Sequence, residues 1–173
     1  MIELWKSFGF DMERFLPPGK SSLMRTLPLL RNDQRVLFVH NTETAESDII
    51  EAMRWNDQVY WVTCPNANLY IENKLPRYER FKSAGAIVCI GTDSLSSNWQ
   101  LSVIEEMKTI QKFQSSTDLS EMITWACING ANALGYNDTL GSFEVGKRPG
   151  VNHLPVDPDE MLLKSTHQVE RIA

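Results

Sequence analysis

The chain has 173 residues, 42% hydrophobic and 23% charged, which is enough for one globular domain with a core and too little for two comfortable ones. Its 17 basic and 22 acidic residues are scattered, and a net charge of -5 with no Lys/Arg block excludes the electrostatic footprint of a nucleic-acid or anionic-membrane binder. Small-molecule chemistry or protein contact is left.

The opening "MIELWKSFGF" carries charges where a signal peptide has its apolar segment, and the longest apolar runs, "VLFV" and "AIVCIG", fall far short of the roughly 20 residues of a membrane-spanning helix. Next, "FLPPGKSS" reads as a loop, and "SSLMRTLPLLRND" as one helix interrupted or bounded at Pro28. Three β-branched or aromatic runs follow, "RVLFVH" (35–40), "VYWVT" (59–63) and "AIVCIG" (86–91). They are continuously apolar rather than alternating, as strands buried on both faces are. Between them, "TAESDIIEAMRWN" and "LPRYERFKSAG" read as helices, the second stopped by Gly85. Strand and helix in alternation predict an α/β fold with a parallel sheet and crossover helices. Two further helices are predicted. In "WQLSVIEEMKTIQKF", Leu101, Ile104 and Met107 recur at helical spacing. In "DLSEMITWACINGANAL", Asp118 can cap with Glu121 three residues on. From Gly141 the chain is rich in turns, and "HQVERI" suggests short strands outside the βα alternation.

Cys64, Cys89 and Cys127 are odd in number, far apart and without a CxxC pair, so neither a disulfide framework nor a cysteine zinc knuckle is expected, and a reducing cytoplasm fits. In a parallel α/β sheet, function gathers at the carboxyl ends of the strands. His40, Thr63 and Asp93 each lie at or just past such an end, so all three are expected on one rim. A carboxylate there can ligate a divalent metal or take a proton from water, and a neutral imidazole can ligate or polarise. An Asp after a strand also serves as a turn or helix cap, and a histidine can be purely structural. Spacing alone ranks these residues without deciding among the roles.

The segments "VLFVHNT", "VTCPNANLYI" and "IGTDSLSSNWQL", followed by "WACINGANALGY" and "LGSFEVGKRPG", resemble the second half of the amidohydrolase superfamily, in its cytosine-deaminase-like and triazine-chlorohydrolase-like branch. The resemblance runs from about residue 20 to 150. It implies a partial (β/α)8 TIM barrel, namely the last three βα units plus extra helices, over residues 1–141. A short carboxyl-terminal β segment, 142–173, would return toward a small β-sandwich. By this likeness the three strands are the sixth, seventh and eighth. Asp93 matches the aspartate after the eighth strand, a metal ligand that also handles the proton of the attacking water. His40 matches the histidine after the sixth, a metal ligand in some members and a substrate contact or polarising group in others. Asn68, Asn98 and Thr63 fall at rim positions associated with substrate binding. The implied cofactor is a divalent metal, zinc first and iron second, and the implied reaction is hydrolysis of a non-peptide C–N bond in a small-molecule substrate, of deaminase type.

Thr63 and Ala67 stand where many members have a histidine and a serine, and the first-strand His-x-His, the fifth-strand metal histidine and its nearby glutamate have no counterpart. The other two histidines, His153 and His167, lie in the turn-rich tail. A catalytic zinc takes about three protein ligands plus water, whereas Asp93 and His40 are the two on offer. Three parallel strands also cannot close an eight-stranded barrel, so the first should show an unpaired edge and an uncovered inner face. The expectation is therefore a carboxyl-terminal portion of a longer enzyme with an incomplete site, whose partner is the amino-terminal half of the barrel or, failing that, a homo-oligomer. The alternative is a non-catalytic remnant or a partner-binding α/β module. A flavodoxin-like binder would need an early Gly-rich phosphate loop, which is absent. "TDSLSS" lacks the flanking glycines of a serine-nucleophile elbow.

Overall fold

A computed structural model describes residues 2–11 and 19–173; part of the expected "FLPPGKSS" loop lies outside them. Helix α1 (Ile2–Ser7) is followed by α2 (Ser22–Thr26), which Ser21 caps and which tightens into a 3-10 turn at Leu27–Leu29 once Pro28 removes a donor. Three strands then form a parallel sheet in the order β1 (Val36–Val39), β2 (Val59–Thr63), β3 (Ile87–Ile90). Helix α3 (Glu46–Trp55) links the first two, and α4 (Pro65–Glu72) and α5 (Tyr78–Ser83) link the second and third.

Register decides which side of the sheet holds the core. Phe38, Trp61 and Val88 stand in line across the strands, and their face packs on Ile49 and Ala52 of α3 and on Tyr78 and Phe81 of α5. The same cluster takes in Ile104, Met107 and Ile110 of α6 (Val103–Phe113) and Leu119 and Met122 of α7 (Leu119–Thr124). Trp61 sits at its centre, with ring centroids 5.2 Å from Phe38 and 5.4 Å from Phe81. Among the described residues the opposite face carries only a small cluster of Tyr60, Val62, Ile87 and Cys89 under Ala133. There Leu37 and Val39 remain 37% and 47% exposed. Burial on both faces thus holds for β2 and fails for β1, whose residues alternate between half-buried and exposed. The cause is position: among the described residues no strand pairs with the far side of β1, and nothing covers its inner face.

Two local features were not among the sequence expectations, one at the rim and one at the sheet edge. "PNANLYIE" forms a helix, α4. Pro65 occupies its first turn, where a missing N–H costs nothing, and Asn73 closes it in a left-handed conformation at φ 50°. The last long helix is broken by a π turn, Trp125–Asn129, between α7 and α8 (Gly130–Leu134). Asp118 does cap its start, accepting the Glu121 N–H at 2.8 Å. Within the π turn the Asn129 amide donates to the Val88 carbonyl at 2.8 Å, so a side chain takes one backbone acceptor of β3.

The tail forms a two-residue antiparallel pair, β4 (Asn152–His153) with β5 (Glu170–Arg171), and folds back on α6. Gln111 exchanges two hydrogen bonds with the Leu163 backbone, and Lys108 donates to the carbonyls of Ser165 and His167. Among the described residues no helix is long and apolar enough to cross a membrane.

Ile110 has no solvent contact and touches several packed elements. Ile110→Ala is expected to destabilise the chain by about 2–5 kcal/mol, read as a lower urea midpoint with an unchanged slope.

Candidate functional site

The loops after the three strands converge at one end of the sheet. His40 directly follows β1, its N–H donating to the Val62 carbonyl at 2.9 Å as a last rung of the ladder. His40 and Asn41 then take φ 72° and 56°, and Asp93, after β3, takes φ 58°. Left-handed backbone in three non-glycine residues at one rim is the kind of strain that collects at functional sites. Asn41 offsets part of it by donating to the Phe38 carbonyl at 2.7 Å. Gly91 leads into the third loop under a steric requirement. A Cβ there would stand 3.1 Å from Val62 Cγ1 and 3.3 Å from Cys64 Sγ.

This geometry brings His40 and Asp93 together, with Nε2 3.8 Å from Oδ2 and both side chains about a third exposed, at 35% and 31%. Asp93 is preset as a carboxylate. The Ser97 hydroxyl donates to Oδ2 at 2.8 Å and the Ser94 N–H to Oδ1 at 2.8 Å. Those two bonds, with His40 nearby, hold its carboxyl below the usual aspartate range. His40 is oriented from behind by Asn68 in the first turns of α4, whose Oδ1 lies 2.6 Å from Nδ1.

The other expected rim residues face elsewhere. Thr63 turns to the core side, its hydroxyl 2.8 Å from that of Tyr78. Asn98 points inward as well, its amide donating to the Thr92 carbonyl at 2.6 Å and to Glu106 Oε1 at 2.6 Å. Both are buried, as is Asn68. Asn68 is thus brought to the pair as a partner of His40, whereas the side chains of Thr63 and Asn98 are turned away from it. His153 and His167 stay in the tail, away from the pair.

The residue that sequence reasoning passed over is Glu106. It sits on the inner face of α6 with no solvent contact, and it accepts the Asn66 N–H at 2.8 Å, the Asn66 amide at 3.0 Å and the Asn98 amide at 2.6 Å. The Thr109 hydroxyl donates to the Asn66 side-chain oxygen Oδ1 at 2.6 Å. One carboxylate therefore ties the start of α4 to the loop that carries Asp93. The available signal was a glutamate on the apolar stripe of Ile104, Met107 and Ile110, where a charge is out of place unless it is paired.

As a metal corner, the donor chemistry of His40 and Asp93 fits zinc and the donor number does not. Among the described residues no group of three or more His, Cys, Asp or Glu side chains is placed to hold a metal ion. Cys64, below Asp93, is a neutral thiol pushed up to about 12, by burial first and then by the charges of Asp93 and Glu106.

Residues 19–165 match the sequence profile of the amidohydrolase family. The chain belongs to that family. This amidohydrolase-family chain is 31% identical to a 5-methylthioadenosine/S-adenosylhomocysteine deaminase of Teredinibacter turnerae over 86% of its own length and 34% of that protein. It is 31% identical to an adenosine deaminase of Helicobacter pylori over 67% of its length and 29% of that protein. It therefore spans about a third of the curated relatives it matches. Among solved structures it resembles a zinc-bound adenosine deaminase of Xanthomonas campestris, with TM-score 0.70 and 29% identity, over 83% of this chain and 34% of that one. It also resembles a Helicobacter pylori aminofutalosine deaminase in complex with methylthio-coformycin, with TM-score 0.67 and 25% identity, over 80% of this chain and 35% of that one.

Burial raises the Glu106 carboxyl against the opposing pull of its Asn66 and Asn98 donors. Its folded value thus exceeds the ordinary 4.5, so the folded chain holds this proton more tightly than the unfolded one. The group's favourable contribution is complete below 4.5 and is lost as pH rises through the raised value. Glu106→Gln removes that dependence. The difference in unfolding free energy, variant minus wild type, is expected to shift in the variant's favour from about pH 4 to about pH 8, measured by urea titration at each pH.

Proposed function

We propose that this chain supplies the sixth to eighth strands of a (β/α)8 barrel in a deaminase-type amidohydrolase, with Asp93 and His40 as its contribution to the active site. The observation that carries this is the solvent-open His40–Asp93 pair at the carboxyl ends of parallel strands, in a chain whose relatives are named as deaminases of adenine nucleosides. Those names support an amine-bearing purine nucleoside as the substrate class, and three free cysteines agree with a reducing cytoplasm.

Net deamination exchanges a C–N bond for C–O: water loses a proton to a base and the departing amine gains one. Asp93, ionised and accepting from Ser97 and Ser94, is the base on this chain that can take the proton from water. His40, 3.8 Å away, can orient or polarise the reacting group. Bound zinc would lower the pKa of that water. Two ligands do not hold a catalytic zinc, so no step is assigned through it, and the remaining ligands have to come from outside the described residues. The bare inner face of β1, with Leu37 and Val39, supports further barrel strands as the partner. A second copy of the chain is the other candidate.

The test is ammonia release from adenosine, 5-methylthioadenosine and S-adenosylhomocysteine, by the 173-residue chain and by the chain fused to the amino-terminal two-thirds of the Xanthomonas campestris deaminase, each with added zinc. The fusion should turn over at least one nucleoside and the chain alone none. Asp93→Asn should lower the fusion's kcat/KM by about 10²–10⁴-fold. A folded, zinc-loaded fusion with no turnover, or an Asp93→Asn fusion at the parental rate, would leave the non-catalytic reading standing.

A further inference from the structure

We infer that Asn68 is a positioning residue that holds His40 as its Nδ1–H tautomer, so that Nε2 meets Asp93 as a bare acceptor. The inference rests on the reading of His40 and Asp93 as the site pair.

Asn68 is 1% exposed and is fixed at both ends of its environment. Its N–H donates to the Cys64 carbonyl at 2.8 Å, and its helix carries Asn66 in the first turn, which Glu106 grips through two bonds. Such a side chain does not itself reach a substrate, but it reaches His40, with Oδ1 2.6 Å from Nδ1. An amide oxygen only accepts, so Nδ1 must carry the hydrogen and Nε2 of the neutral ring must carry the lone pair.

The opposite arrangement makes no second hydrogen bond at this site. With the amide reversed, Nδ2 would donate to Nδ1 and the ring hydrogen would move to Nε2. From there it would face Asp93 Oδ2 across 3.8 Å, beyond hydrogen-bond reach. The backbone cooperates: His40 is held at φ 72° with its N–H on the Val62 carbonyl, which fixes the point from which the ring projects.

Two acceptors, an imidazole nitrogen and a carboxylate oxygen, therefore face each other at the rim. The gap selects for a species that brings hydrogens or positive charge, such as a water molecule donating both of its O–H bonds. This gives Asn68 a role distinct from substrate contact: it acts only through the ring it touches.

Long-range proton–nitrogen NMR on the ¹⁵N-labelled 173-residue chain, at a pH where histidine is neutral, reads the tautomer of each ring directly. His40→Gln assigns the His40 signals, and His153 and His167 serve as internal references. Native His40 is expected to show a protonated Nδ1 and a bare Nε2. Asn68→Ala should return it to the Nε2–H-rich mixture of free imidazole. Asn68→Asp, whose carboxylate also only accepts, should keep Nδ1–H, and neither change should move His153 or His167. A native His40 in the Nε2–H form overturns the inference without any variant. So does an Asn68→Ala chain that folds and leaves the His40 pattern unchanged. No catalytic assay enters, so the tautomer can be refuted while the deaminase reading stands, and the reverse also holds.

Discussion

Removing a carboxylate from water is expensive, and the structure spends that cost at the point where two loops meet. Glu106 has no solvent contact and no cationic partner among its hydrogen bonds; three N–H groups from Asn66 and Asn98 converge on its two oxygens instead. Donors to a buried charge are stronger than neutral pairs, which offsets part of the desolvation. The geometry around them is correspondingly demanding. Because Asn66 lies in the first turn of α4 and Asn98 grips the Thr92 carbonyl next to Asp93, positions on both sides of the rim are set by one side chain of α6. A hydrophobic residue of similar volume would fill the space and satisfy none of these donors.

The rim itself is held under backbone strain. Left-handed conformations at His40, Asn41 and Asp93 cost on the order of 1–3 kcal/mol each, and each is balanced by a local bond: His40 N–H to Val62, the Asn41 amide to Phe38, Ser94 and Ser97 to Asp93. Strand ends are where such balancing is available, because the last ladder rung anchors one side of the turn and the following helix the other. The result is a pair of side chains that meet from different strands while remaining open to solvent.

Much of this was legible in the sequence for a simple physical reason. Three runs of β-branched and aromatic residues with helical spacing between them leave a parallel sheet as the main option, and all three strands fall within one residue of the segments expected. His40 and Asp93 were visible as polar residues terminating apolar runs. Asn68 was named through family resemblance, but its route to the site through His40 was not. "CPNANLYIE" hid as a helix because Pro65 reads equally as a strand stop, and its short apolar face gives little periodicity. Glu106 was hidden because a single polar residue on an apolar stripe announces its partners only in three dimensions. The uncovered face of β1 was expected on strand count, whereas the π turn beside β3 has no signature in "WACIN" that spacing could reveal.

That π turn makes the two edges of the sheet unequal. On the β3 side, Asn129 occupies the Val88 carbonyl and the helix crosses the edge, with Trp125 in the main core and Ala133 on the opposite face. On the β1 side nothing described intervenes. The β1 margin is open along its length, whereas a strand joining at β3 meets the Asn129 amide already on the Val88 carbonyl. A polypeptide completing the sheet therefore has two unequal places to pair, one unobstructed and one where it has to displace a side chain.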